Sequence, residues 1–197
     1  MDSTFLTLQT KNFWIPISSM KVKETGIEGL VVLEPRVFKD PRGYFFESFH
    51  KKELSLHGID YDFIQDNQSR SSFGIVRGLH YQKEPHAQAK LVRVTEGAIF
   101  DVAVDIRLDS PTYGKWFGIE LSEENFLQMM IPAGFAHGFS VLSDRASVLY
   151  KCDQYYQPES ESGIRFDDPD LQIDWKIDPE KAIISDKDRI LPFFNQL

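Results

Sequence analysis

A single cysteine, Cys152, stands among the 197 residues. No disulfide can therefore close within the chain, and a reducing, cytoplasmic setting is the expectation. No apolar run approaches the roughly 18 residues that a membrane-crossing helix needs. The opening stretch, MDSTFLTLQTKNFWIPISS, has no basic cluster ahead of an apolar core and does not read as a signal peptide. Basic side chains are the minority, 22 Lys and Arg against 30 Asp and Glu, for a net charge of −8. That balance argues against nucleic acid or an anionic membrane as partner. It leaves room for a small anionic ligand, which needs only a local cluster of Arg, Lys and backbone N–H groups. Helix-period patterning is scarce too, confined to KKELSLHG (51–58) and part of the C-terminal tail.

What is present is a chain of 42% apolar and 26% charged residues, with sixteen Phe, enough to bury one core without disulfides. Residues 1–19 read as an N-terminal extension and 20–197 as one domain, opening at MKVKETGIEGLVVLEP. Short apolar runs separated by turn residues dominate it: 30–38, 74–82, 90–97, 98–107, 115–122, 126–134, 137–143 and 146–152. Within AIFDVAVDIR, Phe100, Val102, Val104 and Ile106 alternate with Asp101, Ala103 and Asp105, the period-two pattern of a strand with one apolar face. Many short strands at such spacing predict an all-β sandwich or barrel with short peripheral helices.

Five histidines occur. His50 and His57 fall in a polar, helix-like stretch and His86 in a turn, which reads as surface. His80 and His137 are set into apolar strands, where the bland reading of either alone is a buried neutral imidazole satisfied by hydrogen bonds. Their surroundings shift the balance. IPAGFAHGF (131–139) has the Pro-x-Gly-x-x-His form of the second cupin motif, and GLHYQ (78–82) falls where the first would carry His-x-His. Gln82 replaces that second histidine. An amide oxygen is a poor partner for a transition metal, so His80 and His137 would make an undersupplied site and no metal is expected.

These motifs stand with DPRGYFFESF (40–49), FIQDNQSRSS (63–72), VRGLHYQ (76–82), AKLVRVTEGAIFDVAVDIR (89–107), YGKWFGIELSEEN (113–125) and LYKCDQYYQPESESGI (149–164). In that order they resemble the dTDP-4-dehydrorhamnose 3,5-epimerase family over essentially residues 20–190. The resemblance implies a cupin-type jelly roll, a homodimer, and a cofactor-free epimerase of a dTDP-4-keto-6-deoxy sugar. Such an enzyme inverts C3 and C5 of dTDP-4-dehydro-6-deoxy-D-glucose to give dTDP-4-dehydro-L-rhamnose.

The roles it implies are specific. His80 removes each proton, and an imidazole suits that task because it titrates near neutrality. The carboxylate in ISDKD (184–188) orients it; this maps to Asp188, with Asp186 the alternative if the register differs. Lys90 supplies positive charge for the enolate oxygen. Alternation places Lys90 on one face with Val92 and Val94, costly unless it points into a polar cavity. Tyr150 returns a proton from the opposite side, with its pKa lowered by a nearby Lys or Arg. Tyr156 stacks on thymine. Arg42, Arg77 and Lys187 meet the diphosphate, and Glu47, Gln65, Asp66, Asn67, His137 and Glu161 are polar contacts. One tension stands out: strict alternation over 76–82 puts His80 and Arg77 on opposite faces. For both to serve one cavity, a bulge at Gly78 or a contribution across a dimer interface is needed. Two rival readings are a single-carbon epimerase or ketoisomerase on a related dTDP-4-keto sugar, and a non-catalytic sugar-nucleotide-binding cupin.

Overall fold

Thirteen strands and two short α-helices follow one another over residues 20–197, the part of the chain that this computed structural model describes. The expected extension, residues 1–19, lies outside the described residues. One sheet has six antiparallel strands. In spatial order they are β1 (Met20–Glu24), β2 (Val31–Pro35), β10 (Gln128–Ile131), β7 (Lys90–Glu96), β12 (Arg145–Cys152) and β5 (Gln65–Ser72). The facing sheet has five: β13 (Glu161–Gly163), β6 (Val76–Gln82), β11 (Phe135–Val141), β8 (Ala98–Asp105) and β9 (Trp116–Ser122). A separate hairpin joins β3 (Phe38–Asp40) to β4 (Gly43–Phe45). Two facing antiparallel sheets, with most sequence neighbours in different sheets, make the cupin-type jelly roll.

Apolar residues sort into three groups. Between the sheets, Val92, Val94, Met129 and Ile131 meet Ile99, Ala103, Phe135, Phe139 and Val141. Outside the five-stranded sheet, Phe100, Val102 and Val104 lie under the C-terminal segment with Ile164, Leu171, Trp175 and Ile184. Against the six-stranded sheet, Leu33, Leu91 and Met130 are covered by Leu54 of helix α1 (Lys51–Leu56) and by Ile59. A six-residue helix cannot hold itself in water, so α1 exists through Leu54, only 2% exposed, and the His50 cap, whose Nδ1 accepts from Glu53 N at 3.1 Å.

Two expectations need correction. Strand β8 does not have one apolar and one solvated face. Seven of its eight residues are buried, Asp101 and Asp105 completely, because the C-terminal segment covers its outer face and the opposite sheet its inner one. The 30–38 run, read as one strand, divides at Pro35 into β2 and β3, which belong to different sheets.

Candidate active site

A cavity of about 370 Å³ opens between the sheets, bordered by β5, β6, β7, β11 and β12. Each strand contributes by alternation. From β5, Gln65, Asn67 and Ser69 point inward while Asp66, Gln68 and Arg70 are exposed. Strand β7 brings Lys90, β11 brings His137, β12 brings Tyr150, and β6 brings both Arg77 and His80.

The last pair depends on a β-bulge. His137 pairs with His80 and Phe139 with Arg77, so Gly138 alone stands opposite both Gly78 and Leu79. The extra residue rotates Arg77 to the cavity side, where its Nε donates to Ser71 Oγ at 2.9 Å. Gly78 has φ +119°, and a Cβ there would lie 2.6 Å from Gly138 Cα and 2.8 Å from His137 O. Only glycine fits. The expected tension is thus resolved within one chain.

Behind β6 the C-terminal segment docks beside the start of the strand, Ile183 N donating to Gly74 O at 2.8 Å and Val76 N to Ile183 O at 3.1 Å. With Ile184 buried, this fixes helix α2 (Asp186–Arg189), capped by Ser185, which accepts from Asp188 N at 3.1 Å. Asp188, 4% exposed, meets His80 Nε2 at 2.7 Å through Oδ1. Its Oδ2 accepts from the Gly78 amide of the bulge at 3.4 Å. Burial pushes its pKa up, but the His80 ring, the Gly78 N–H and the Ser185 hydroxyl outweigh it and hold the carboxyl below its ordinary value. Asp186, the register alternative, is exposed.

Lys90 is 9% exposed, and its Nζ reaches only the His80 carbonyl, at 3.5 Å. Among the described residues no carboxylate pairs with it. Burial pulls its pKa down, and the more distant Cys152, Asp101 and Glu161 only partly restore it. Tyr150 differs from expectation. Burial raises its pKa above the ordinary phenol value, and Arg77 offsets only part of the rise, so it is a firmly protonated phenol instead of an acidified one. His137 forms a second imidazole–carboxylate pair, Nε2 to Asp101 Oδ1 at 2.7 Å, both groups buried. The other Asp101 oxygen, Oδ2, is buried without a partner among the described residues.

At the mouth, Tyr156 donates its hydroxyl to Glu161 Oε2 at 2.6 Å, and Lys187 Nζ meets the same carboxylate at 2.6 Å. Burial raises Glu161, but Lys187 and Tyr156 lower it more, so it stays ionised. Five expected residues do not border this cavity: Asp188 and Lys187 touch residues that do, His80 and Glu161, and the other three stand apart. Asp66 faces outward and pairs with Lys151 at 2.9 Å. Glu47 is exposed. Arg42 sits in the β3–β4 hairpin, paired with Asp40 at 2.5 Å.

The sequence reading missed Asp101, Ser69 and Gln82 as parts of the site. Asp101 carried a usable signal: a carboxylate in an otherwise apolar strand needs a buried partner. Ser69 was readable from the alternation Gln65, Asn67, Ser69. The structural importance of Gln82 had no local signal.

Comparison with known proteins agrees with this architecture. A family model described as dTDP-4-dehydrorhamnose 3,5-epimerase matches residues 24–196. A protein of that name from Methanothermobacter thermautotrophicus is 51% identical, over 84% of this chain and 90% of its own length. The Escherichia coli protein of the same name is 50% identical, over 90% of this chain and 96% of its own. A crystal structure of dTDP-6-deoxy-D-glucose-3,5-epimerase from Legionella pneumophila, in complex with dTDP-4-keto-L-rhamnose, superposes with a TM-score of 0.87 at 50% identity, covering 90% of this chain and 94% of that one. With residues 24–196 matched, from the last residue of β1 to the C-terminal turn, the chain belongs to the dTDP-4-dehydrorhamnose 3,5-epimerase family.

Proposed function

We propose that this protein inverts C3 and C5 of dTDP-4-dehydro-6-deoxy-D-glucose by proton transfer, without cofactor or metal. The observation that carries the reading is one cavity lined by His80, Lys90 and Tyr150, with buried Asp188 held 2.7 Å from His80 Nε2. Family membership supports the substrate class.

The chemistry follows from the geometry. With Nε2 hydrogen-bonded to an ionised Asp188, neutral His80 keeps its proton on Nε2 and leaves Nδ1 basic. That nitrogen takes the proton from carbon next to the C4 ketone. The C–H electron pair moves into the ring and a negative charge collects on the C4 oxygen. Lys90, already desolvated and without a carboxylate partner, is a donor aimed at such an oxygen, and its interaction is stronger in a buried site than in water. Tyr150 carries a proton that it releases only to a strong base, and the enolate carbon is one. Delivery from the face opposite His80 inverts the centre; the imidazolium then gives its proton to solvent and the phenolate takes one back, and the same cycle at the second α-carbon completes the reaction.

Arg77 holds the diphosphate beside Ser69 and Ser71, Tyr156 covers the thymine, and Lys187 adds charge at the rim. Gln65, Asn67, His137 and Glu161 make polar contacts along the way. Arg42 and Glu47 lie outside their own chain's cavity and serve this reading through a homodimer, in which a second copy places them at the mouth. The exposed aromatic side chains of the same hairpin, Tyr44 (59%) and Phe45 (63%), support such an interface.

The test is solvent exchange. Purified protein with EDTA is incubated in deuterium oxide with dTDP-4-dehydro-6-deoxyglucose, and the C3 and C5 protons are followed by NMR. Exchange at both positions, lost in His80→Ala, is the expected result. Exchange at one carbon only would replace this reading with a single-carbon epimerase, and binding without exchange would replace it with a non-catalytic module.

A further inference from the structure

Gln82 occupies the position at which a metal-binding cupin carries its second histidine, and the structure gives that side chain a different employment. It is 6% exposed and spends its whole amide on backbone. Its Nε2 donates to His86 O at 2.6 Å and to Tyr155 O at 3.2 Å, and its Oε1 accepts from Gln157 N at 2.6 Å. Two loops meet on this one side chain, 83–89 after β6 and 153–160 after β12. On the other side of Tyr156, Gln65 of β5 accepts from Tyr156 N at 3.0 Å. Three consecutive residues, 155 to 157, are therefore tied by two glutamines that reach from opposite sheets.

Further bonds join the loops: Lys83 N to Ser160 O at 2.8 Å, His86 Nδ1 to Ser160 Oγ at 2.8 Å, and Gln88 Nε2 to Gln154 O at 2.8 Å. Among the described residues, Gln82 alone has a side chain that grips the backbone on both flanks of Tyr156. Tyr156 itself is about half exposed and belongs to none of the three apolar clusters among the described residues, so hydrogen bonds more than burial decide where its ring stands.

We propose that Gln82 is a positioning residue for nucleotide recognition, acting through the Tyr156 loop and not on the reacting atoms. The inference rests on the reading of Tyr156 as the nucleobase contact. Removing the amide strands two carbonyls and one N–H that it now satisfies, and the loop relaxes toward water to recover them. The ring then has to be ordered at the moment of binding, which weakens affinity and leaves the proton-transfer groups in place.

The test is a double-mutant cycle with dTDP as the probe, its Kd measured by calorimetry, alongside kcat and KM for the sugar nucleotide. Gln82→Ala is expected to raise Kd and KM roughly tenfold with kcat within about twofold of the parent. Tyr156→Ala raises Kd to a similar degree. The double variant stays near Tyr156→Ala, because Gln82 has nothing left to position. An unchanged Kd in Gln82→Ala, or a double variant about a hundredfold weaker as independent effects would give, overturns the proposal. If Gln82→Ala fails to fold, Gln82→Glu keeps the acceptor for Gln157 N and loses both donations, and the same cycle is read on it. Absence of dTDP binding in the parent protein would overturn the functional reading itself; binding in the parent with an additive cycle removes only the role of Gln82.

Discussion

Asp188 acts at a distance of one imidazole from the chemistry, which makes it separable from the fold. In Asp188→Asn the side chain keeps its shape but loses the charge that holds His80 in one tautomer. We expect kcat to fall by roughly 10²- to 10⁴-fold, with KM little changed, measured in steady state. The same variant has a signature in stability. Because the folded-state pKa of Asp188 is depressed, its ionised form stabilises the fold fully above the ordinary carboxylate value near pH 4, and that contribution is lost as pH falls through the lower folded value. The acid limb of thermal stability is therefore expected to be flatter below about pH 4 in Asp188→Asn than in the parent. Lys90 gives the opposite trade. Its burial disfavours the charge that the enolate needs, so Lys90→Met should abolish turnover while stabilising the fold by about 1 kcal/mol, a rise of roughly 2–4 °C in Tm by calorimetry.

At the scale of elements, the bulge in β6 is the device that makes the site. Gly78→Ala forces a Cβ into the Gly138 backbone at a positive φ, and we expect a loss of at least about 2 kcal/mol in denaturant titrations. Because the bulge aims Arg77, the folded fraction should also bind dTDP more weakly. Here the sequence was legible, since alternation placed His80 and Arg77 on opposite faces and so demanded an irregularity at Gly78. Strand β5 was the reverse case. Its inward residues, Gln65, Asn67, Ser69 and Ser71, are polar because they face a cavity and not a core, so hydrophobic periodicity had nothing to detect. The acids of β8 misled in a related way: Asp101 and Asp105 looked like a solvated face, and each instead is buried against a partner, His137 for one and the partly exposed Arg107 at 2.7 Å for the other. Local pattern reports the polarity of a face. It does not distinguish solvent from an internal polar site.

The whole molecule poses the question of Arg42 and Glu47, which the β3–β4 hairpin and the segment just after it hold away from the cavity of their own chain. If a second copy receives them, two defective chains can repair one another. Arg42→Ala and His80→Ala subunits, each feeble alone, should regain up to about a quarter of parental activity when refolded together, because one cavity in the mixed dimer has both residues intact. Failure to complement, with light scattering showing a dimer, would place Arg42 outside the partner's site.

Of the buried apolar residues in the three groups that stabilise residues 20–197, only Phe139 also borders the cavity. The groups that hold the barrel together and the groups that meet the ligand are thus almost disjoint sets. The apolar packing can therefore be kept while ligand-facing polar groups change, with stability changes of the kind given above for Lys90 and Asp188, so this scaffold can drift in specificity with its interior intact. A lineage exploring new sugars would need to rewrite a handful of polar positions and could leave its interior alone.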